Sequence, residues 1–147
     1  MYSIRQVSTE KELQDALYVR RVVFIEEQQV PEDLEIDEHD QLSTPTTHFV
    51  TYHDNEPVAA GRLRPFEEGV GKIERVAVKQ ETRGTGLGRD LMMHMEDIAI
   101  QQGYSTLKLS AQVHAQPFYE KLGYVGFGEI FDDAGIDHIM MKKQLHE

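Results

Sequence analysis

A chain of 147 residues with 39% hydrophobic residues is near the common size of one domain and can bury one conventional core, so a single domain over residues 1–147 is expected. The absence of cysteine excludes disulfides, thiolate metal sites and a covalent acyl-cysteine route. The formal net charge of -11 excludes nonspecific attraction to nucleic acid or to an anionic membrane, both polyanions, and favours a cationic partner.

The first twenty residues mix Arg5, Glu10, Lys11, Glu12 and Asp15 among apolar positions, unlike the continuous apolar run of a secretory signal. No stretch approaches the ~20 apolar residues of a transmembrane helix. A soluble cytoplasmic protein is expected. Tyr2 to Val7 reads as a first strand. Thr9-Glu10-Lys11-Glu12 has the form of a capping box, and Leu13, Ala16, Leu17 and Phe24 recur near helical spacing. These predict a helix from Thr9 towards Glu27, with Pro31 ending it. The acids Glu32, Asp33, Glu35, Asp37, Glu38 and Asp40 crowd a segment with little apolar content, which reads as a surface loop.

Thr47 to His53 and Pro57 to Arg64 are rich in β-branched and aromatic residues, and Asp54-Asn55-Glu56 between them predicts a hairpin turn. Val70 to Val78 reads as a third strand of this group. The period then changes. From Gly86 to Gln102 the residues Leu87, Leu91, Met95, Ile98 and Ala99 share a helical face, and Gly103 stands at the C-terminal cap position. Thr106 to Ala111 reads as a strand, Ala115 to Leu122 as a short helix closed by Gly123, and His138 to Lys142 as a last strand. The order is one strand, a helix, three strands, then helix, strand, helix and closing strands. It predicts the α/β class, with a mixed sheet covered by helices.

The chemistry concentrates where Ile73-Glu74-Arg75-Val76-Ala77-Val78 leads through Lys79 to Thr82 into Arg83-Gly84-Thr85-Gly86-Leu87-Gly88-Arg89. A strand runs into a glycine-rich turn that opens a helix. Glycines let the backbone turn sharply and bring amide N–H groups close to a ligand, and a helix start favours negative charge, so a phosphate group is implied. The glycines at 84, 86 and 88 follow a polar connection and do not fit the dinucleotide spacing Gly-x-Gly-x-x-Gly, and no Gly-Lys-Ser/Thr follows to make a P-loop.

Arg83-x-x-Gly86-x-Gly88 does resemble the pyrophosphate-binding signature of the GNAT acyltransferases, Arg/Gln-x-x-Gly-x-Gly/Ala. Downstream, Ala115-Gln116-Pro117-Phe118-Tyr119-Glu120-Lys121-Leu122-Gly123-Tyr124 is similar to that family's Ala-x-x-Phe-Tyr-x-Lys-x-Gly-Phe/Tyr motif. The resemblance implies a central mixed sheet splayed between its fourth and fifth strands, with acetyl-CoA as cosubstrate in the opening. The implied coenzyme contacts are Val76, Ala77, Val78, Arg83, Gly84, Thr85, Gly86, Leu87, Gly88, Arg89, Gln112 and Phe118. Gln112 stands where many members have Asn. Tyr119 falls at the family's general-acid position, suited to protonating the leaving thiolate.

An amine with a lysine-like pKa near 10.4 is only about one part in 2,000 neutral at pH 7, a penalty of roughly 4.6 kcal/mol, so some group must take its proton. Glu74 is one candidate base; a structural ion pair with Arg75, Lys72 or another cation is the other reading of this residue. An outward amide near Val76 to Val78, freed by a bulge, would stabilise the developing oxyanion.

Arg20-Arg21-Val22-Val23-Phe24-Ile25-Glu26-Glu27-Gln28, Glu35-x-Asp37-x-x-Asp40 and Gly61-Arg62-Leu63 resemble YjcF-type bacterial GNAT proteins and, more distantly, acyl-homoserine-lactone synthases, which carry a strand glutamate where this chain has Lys72. That resemblance implies acceptor binding by Arg20, Phe24, Glu27, Asp37, Asp40 and Arg62. His39, Asp40, His48, His53 and Asp54 lack compact zinc spacing, and no metal is expected. The expected activity is direct acetyl transfer to a primary amine of a small molecule or peptide. A noncatalytic CoA-binding module and a lactone-synthase-like acyltransferase are the alternatives, and a homodimer is left open.

Overall fold

The computed structural model describes residues 2–145. Strand β1 (Tyr2–Gln6) leads into helix α1 (Glu10–Arg20), whose start has the reciprocal geometry read from the sequence: the Thr9 hydroxyl accepts from the Glu12 amide, and the Glu12 carboxylate accepts from the Thr9 amide. The helix continues to Glu27 as predicted, but its second half, Arg21–Glu27, winds as a π-helix, with the Gln28 amide donating to the Val23 carbonyl at 3.2 Å. A single turn, α2 (Glu32–Glu35), follows Pro31, which starts this turn rather than ending the previous helix.

The remaining elements are β2 (Thr47–His53), β3 (Glu56–Glu67), β4 (Val70–Val78), α3 (Leu87–Gln101), β5 (Thr106–Gln112), α4 (Gln116–Lys121), β6 (Val125–Asp133) and β7 (Ile136–Gln144). All seven strands form one sheet in the order β1-β2-β3-β4-β5-β7-β6. Only the β4–β5 pair is parallel, as the intervening α3 crossover requires. Strand β6 was not delimited from sequence. It is an outer strand with exposed Val125 and Ile130, and its half-exposed residues carry no clean inward/outward alternation.

Two apolar layers sandwich the sheet. Ala16, Val19 and Val23 of the first helix meet Val50, Ala60 and Ala77 on one face. On the other, Leu87, Leu91, Met92, Met95 and Ala99 of α3 meet Phe49, Leu63, Ile73, Leu107 and Leu109. Each fully buried large aliphatic side chain stabilises the fold by about 1.5–3 kcal/mol, which fixes α3 and the glycine-rich turn before it against the sheet.

The sheet splits where the sequence motifs lie. Strands β4 and β5 pair only from Val70 with Thr106 to Ile73 with Leu109; beyond Ile73, β4 has no β5 partner. On its other side β4 bulges against β3: Arg62 opposes Glu74 and Ala60 opposes Ala77, which leaves Gly61 facing both Arg75 and Val76. Arg75 takes the left-handed conformation there (φ 58°). Gly61 fits because a β-carbon at that position would meet Met95 Sδ at 2.9 Å.

Candidate active site

The split opens into a cavity of about 540 Å³. One wall is β4 from Ile73 to Val78, the other is Leu109, Ser110 and Gln112 of β5, and Val23, Phe24, Glu27 and Gln28 of the π-helical segment close one side. Val76, Ala77, Val78, Arg83, Gln112, Tyr119, Glu74, Phe24 and Glu27 therefore all line the space that the motifs implied.

At the mouth of the split the turn after β4 is held by two glycines in left-handed conformation, Gly84 (φ 79°) and Gly86 (φ 88°), the second serving as N-cap of α3. The first backbone amide of α3 with an internal acceptor is that of Asp90, bonded to Gly86 O at 3.1 Å. The amides of residues 84–89 have no acceptor among the described residues, and a β-carbon on Gly84 or Gly86 would meet nothing within 4 Å. A row of free donors around open space at a helix start is a cradle for a phosphate group. Leu87 contributes only its amide, since its side chain is buried in the core. Phe118 packs against Gly88 and edge-on to Tyr119 at 5.0 Å, so it shapes the wall from behind and does not line the cavity.

Tyr119 projects from α4 into the cavity. Its ring meets Tyr124 edge-on at 6.0 Å, and its hydroxyl is neither bonded to a described residue nor enclosed. Burial pushes its pKa up to about 12, so the phenol is protonated at neutral pH and available as a donor.

Glu74 lines the cavity, yet its carboxylate is taken up by cations: Arg64 Nε at 2.7 Å, Arg62 Nη2 at 2.9 Å and Lys72 Nζ at 3.2 Å. Burial alone would raise its pKa; the Arg64 hydrogen bond and the charges of Arg62 and Lys72 overcome this and lower it to about 2. A group that weakly basic is a poor acceptor for an ammonium proton, so of the two readings of Glu74 the geometry fits the ion pair. Its folded-state pKa lies below the ordinary value of 4.5, so its contribution to stability is complete above that value and fades as pH falls towards about 2. Glu74→Gln is expected to remove on the order of 3 kcal/mol at neutral pH and to flatten the acid side of the stability curve. Urea midpoints measured from pH 7 downward check this, and an unchanged acid slope would contradict it.

Arg20, Asp37, Asp40 and Arg62, which the resemblance implied for acceptor binding, are engaged in one ion-pair network in this structure. Arg20 donates to Asp40 at 2.6 and 3.0 Å and to Glu35 at 2.9 Å; Arg62 donates to both oxygens of Asp37 at 2.8 Å and to Asp40 at 3.0 Å. Both guanidinium groups are about 1% exposed, and Glu35 and Asp40 are buried with them. None of Arg20, Asp37, Asp40 or Arg62 lines the cavity. Within the acidic segment read as a surface loop, Glu32, Asp33 and Glu38 are exposed, but Glu35, Asp37 and Asp40 are the counter-charges for two buried arginines, with Arg75 bonding to the Glu35 and Leu34 carbonyls as well. Glu27 is also engaged, in a two-pronged pair with Arg83 at 2.7 and 2.9 Å, so neither the Arg83 guanidinium nor the Glu27 carboxylate is free for a ligand in this state. The cavity residues Asp133 and His138 were not singled out from sequence, because each comes from a strand without a motif of its own, and Lys72 and Arg75 were weighed only as partners of Glu74.

The structure thus combines a split mixed sheet, a glycine turn with free amides and a tyrosine that lines the split. The model of the acetyltransferase (GNAT) domain family matches residues 9–145. The chain belongs to the GNAT family. Among its relatives, YjcF of Bacillus subtilis strain 168, described as an uncharacterized N-acetyltransferase, is 44% identical over 135 residues, 91% of this chain and 94% of that protein. The crystal structure of an acyl-CoA N-acyltransferase from Pseudomonas aeruginosa superposes with a TM-score of 0.84 at 32% identity, covering 97% of this chain and 98% of that one. Escherichia coli ElaA superposes at 0.87 with 26% identity, covering 98% and 100%. The GNAT assignment makes this chain a member of an acyltransferase family. Among the described residues, no group of three or more metal-ligating side chains comes together, and no helix is long and apolar enough to cross a membrane.

Proposed function

We propose that this GNAT protein transfers an acetyl group from acetyl-CoA directly to a primary amine of a small molecule or peptide, in the cytoplasm where that cosubstrate is made. The observation that carries this reading is the open β4–β5 split, lined by Arg83 and Tyr119, next to a turn whose amides at 84–89 have no acceptor among the described residues. Acetyl-CoA supplies an activated thioester; the chain supplies position and protons. The amides at 84–89 hold the diphosphate, and the unpaired edge of β4 beyond Ile73 offers backbone donors to the acyl oxygen. Tyr119 donates its phenolic proton towards the departing sulfur. The cleft that raises the phenol raises the thiol by the same desolvation, which narrows the mismatch between them.

Gly86→Val tests the cradle. A β-branched residue is strained at φ 88°, so the turn must shift and misalign its amides. Calorimetry should then show affinity for CoA falling at least about tenfold, equivalent to ~1.4 kcal/mol. A thiol-release screen against amino sugars, polyamines, amino acids and peptide amino termini tests the transfer itself. The engagement of Glu74 by three cations favours a second reading, a CoA-binding module without turnover. Tight acetyl-CoA binding with no thiol release from any amine would support that module.

A further inference from the structure

With Glu74 neutralised, the proton that leaves the attacking amine needs another acceptor, and the cavity holds a side chain built for it. His138 lies on β7 opposite Gln112 of β5. Leu107, Leu109, Ala111 and Met141 point into the core under α3, so Gln112 and His138 face the other side of the sheet, where both line the cavity. His138 Nδ1 lies 2.7 Å from the carbonyl oxygen of Ile136. A carbonyl only accepts, so Nδ1 carries the hydrogen and Nε2 of the neutral ring presents a lone pair. The ring stacks on Phe131 with an interplanar angle of 28°, which fixes its plane. His138 is only 9% exposed, yet its Nε2 has no partner among the described residues and is not enclosed.

We propose that His138 is the general base of the acyl transfer, reached from the sheet face opposite the α3 layer that carries Tyr119; this rests on the acetyltransferase reading above. Nε2 takes one proton from the substrate ammonium and becomes imidazolium, with its Nδ1–H still held by Ile136. The neutral amine forms the new C–N bond as the C–S bond breaks. The thiolate takes the Tyr119 proton, and the phenolate takes the second amine proton. The imidazolium returns its proton to water, which leaves amide, thiol and one released proton.

The charged groups sharing the cavity with the ring are Asp133 on β6, His114 in the turn after β5, Lys72, Glu74, Arg75 and Glu35 across the split, and the paired Glu27 and Arg83. Glu74 and Glu35 are paired with arginines, whereas no cation pairs with Asp133 among the described residues.

The test uses thiol release from acetyl-CoA, with glucosamine 6-phosphate, spermidine and glycine as amine probes, across mildly acidic to alkaline pH. His138→Gln should lose about 10²-fold or more in kcat/KM, while CoA affinity by calorimetry stays within about threefold. His138→Ala should recover activity with added imidazole, which a purely structural role would not allow. Retention of near wild-type kcat/KM in His138→Gln would overturn the proposal. Ring-nitrogen NMR gives an arm independent of the acceptor: hydrogen on Nδ1 supports the base role, and hydrogen on Nε2 overturns it. Failure of CoA to bind the wild type would refute the acetyltransferase reading instead, a result distinct from either.

Discussion

Tyr119→Phe is expected to lower turnover by about 10²-fold or more while CoA affinity stays within about threefold of wild type. The change removes one oxygen atom that no described residue bonds, so it orphans no partner and opens no cavity in the core. Contacts of the ring with Phe118 and Tyr124 survive. What is lost is a donor aimed into the split, needed only when negative charge develops on sulfur. Loss of kcat with little change in CoA binding is the signature of an interaction made in the transition state. Because burial holds the phenol near 12, the wild-type rate should not fall on the alkaline side until well above the ordinary tyrosine value of 10. Stopped-flow thiol release from pH 7 upward would measure both effects, and a Phe variant with unchanged kcat would remove Tyr119 from the mechanism.

The parts of the site that could be read in advance are those whose chemistry is local in the chain. Gly84, Gly86 and Gly88 fall within five residues, and the conformations of Gly84 and Gly86 are ones that side chains resist, so a ligand-bearing turn shows in the sequence itself. Tyr119 sits in a short helix whose Pro117 and Gly123 mark its ends. The parts that escaped are non-local. Glu32 to Asp40 carries six acids, and nothing in that stretch reveals that Arg20 from α1 and Arg62 from β3 will be folded beneath it. Pairing Arg62 with Glu74 depends on β3–β4 register across a bulge, which a one-residue slip would reverse. The same register decides whether Glu74 is a base or a counter-ion. His138 was legible as part of a strand, but its role depends on a hydrogen bond to the carbonyl two residues back and on facing the split side of the sheet.

The buried charges carry the second large effect. Arg62→Met should destabilise the protein by on the order of 3–5 kcal/mol, because it removes the cation that Asp37, Asp40 and Glu74 share and leaves Asp37 with only the longer Arg75 contact. For a chain of this length that is a fall in Tm of the order of 10 °C. Arg62→Lys should recover little of it: an ammonium is a single point of charge and cannot span the Nε and two Nη contacts to three carboxylates. The sign of the pH dependence separates this account from simple loss of packing. In the wild type, cations hold the Asp37 and Asp40 carboxyls below their usual range, so their contribution is present at neutral pH and fades in acid. In Arg62→Met the stranded carboxylates gain by taking protons, so the stability gap to wild type should narrow as pH falls from 7 towards their raised pKa values. Thermal melts of both proteins over that range measure the gap, and a deficit independent of pH would mean that the arginine acts through its hydrocarbon stem instead of its charge.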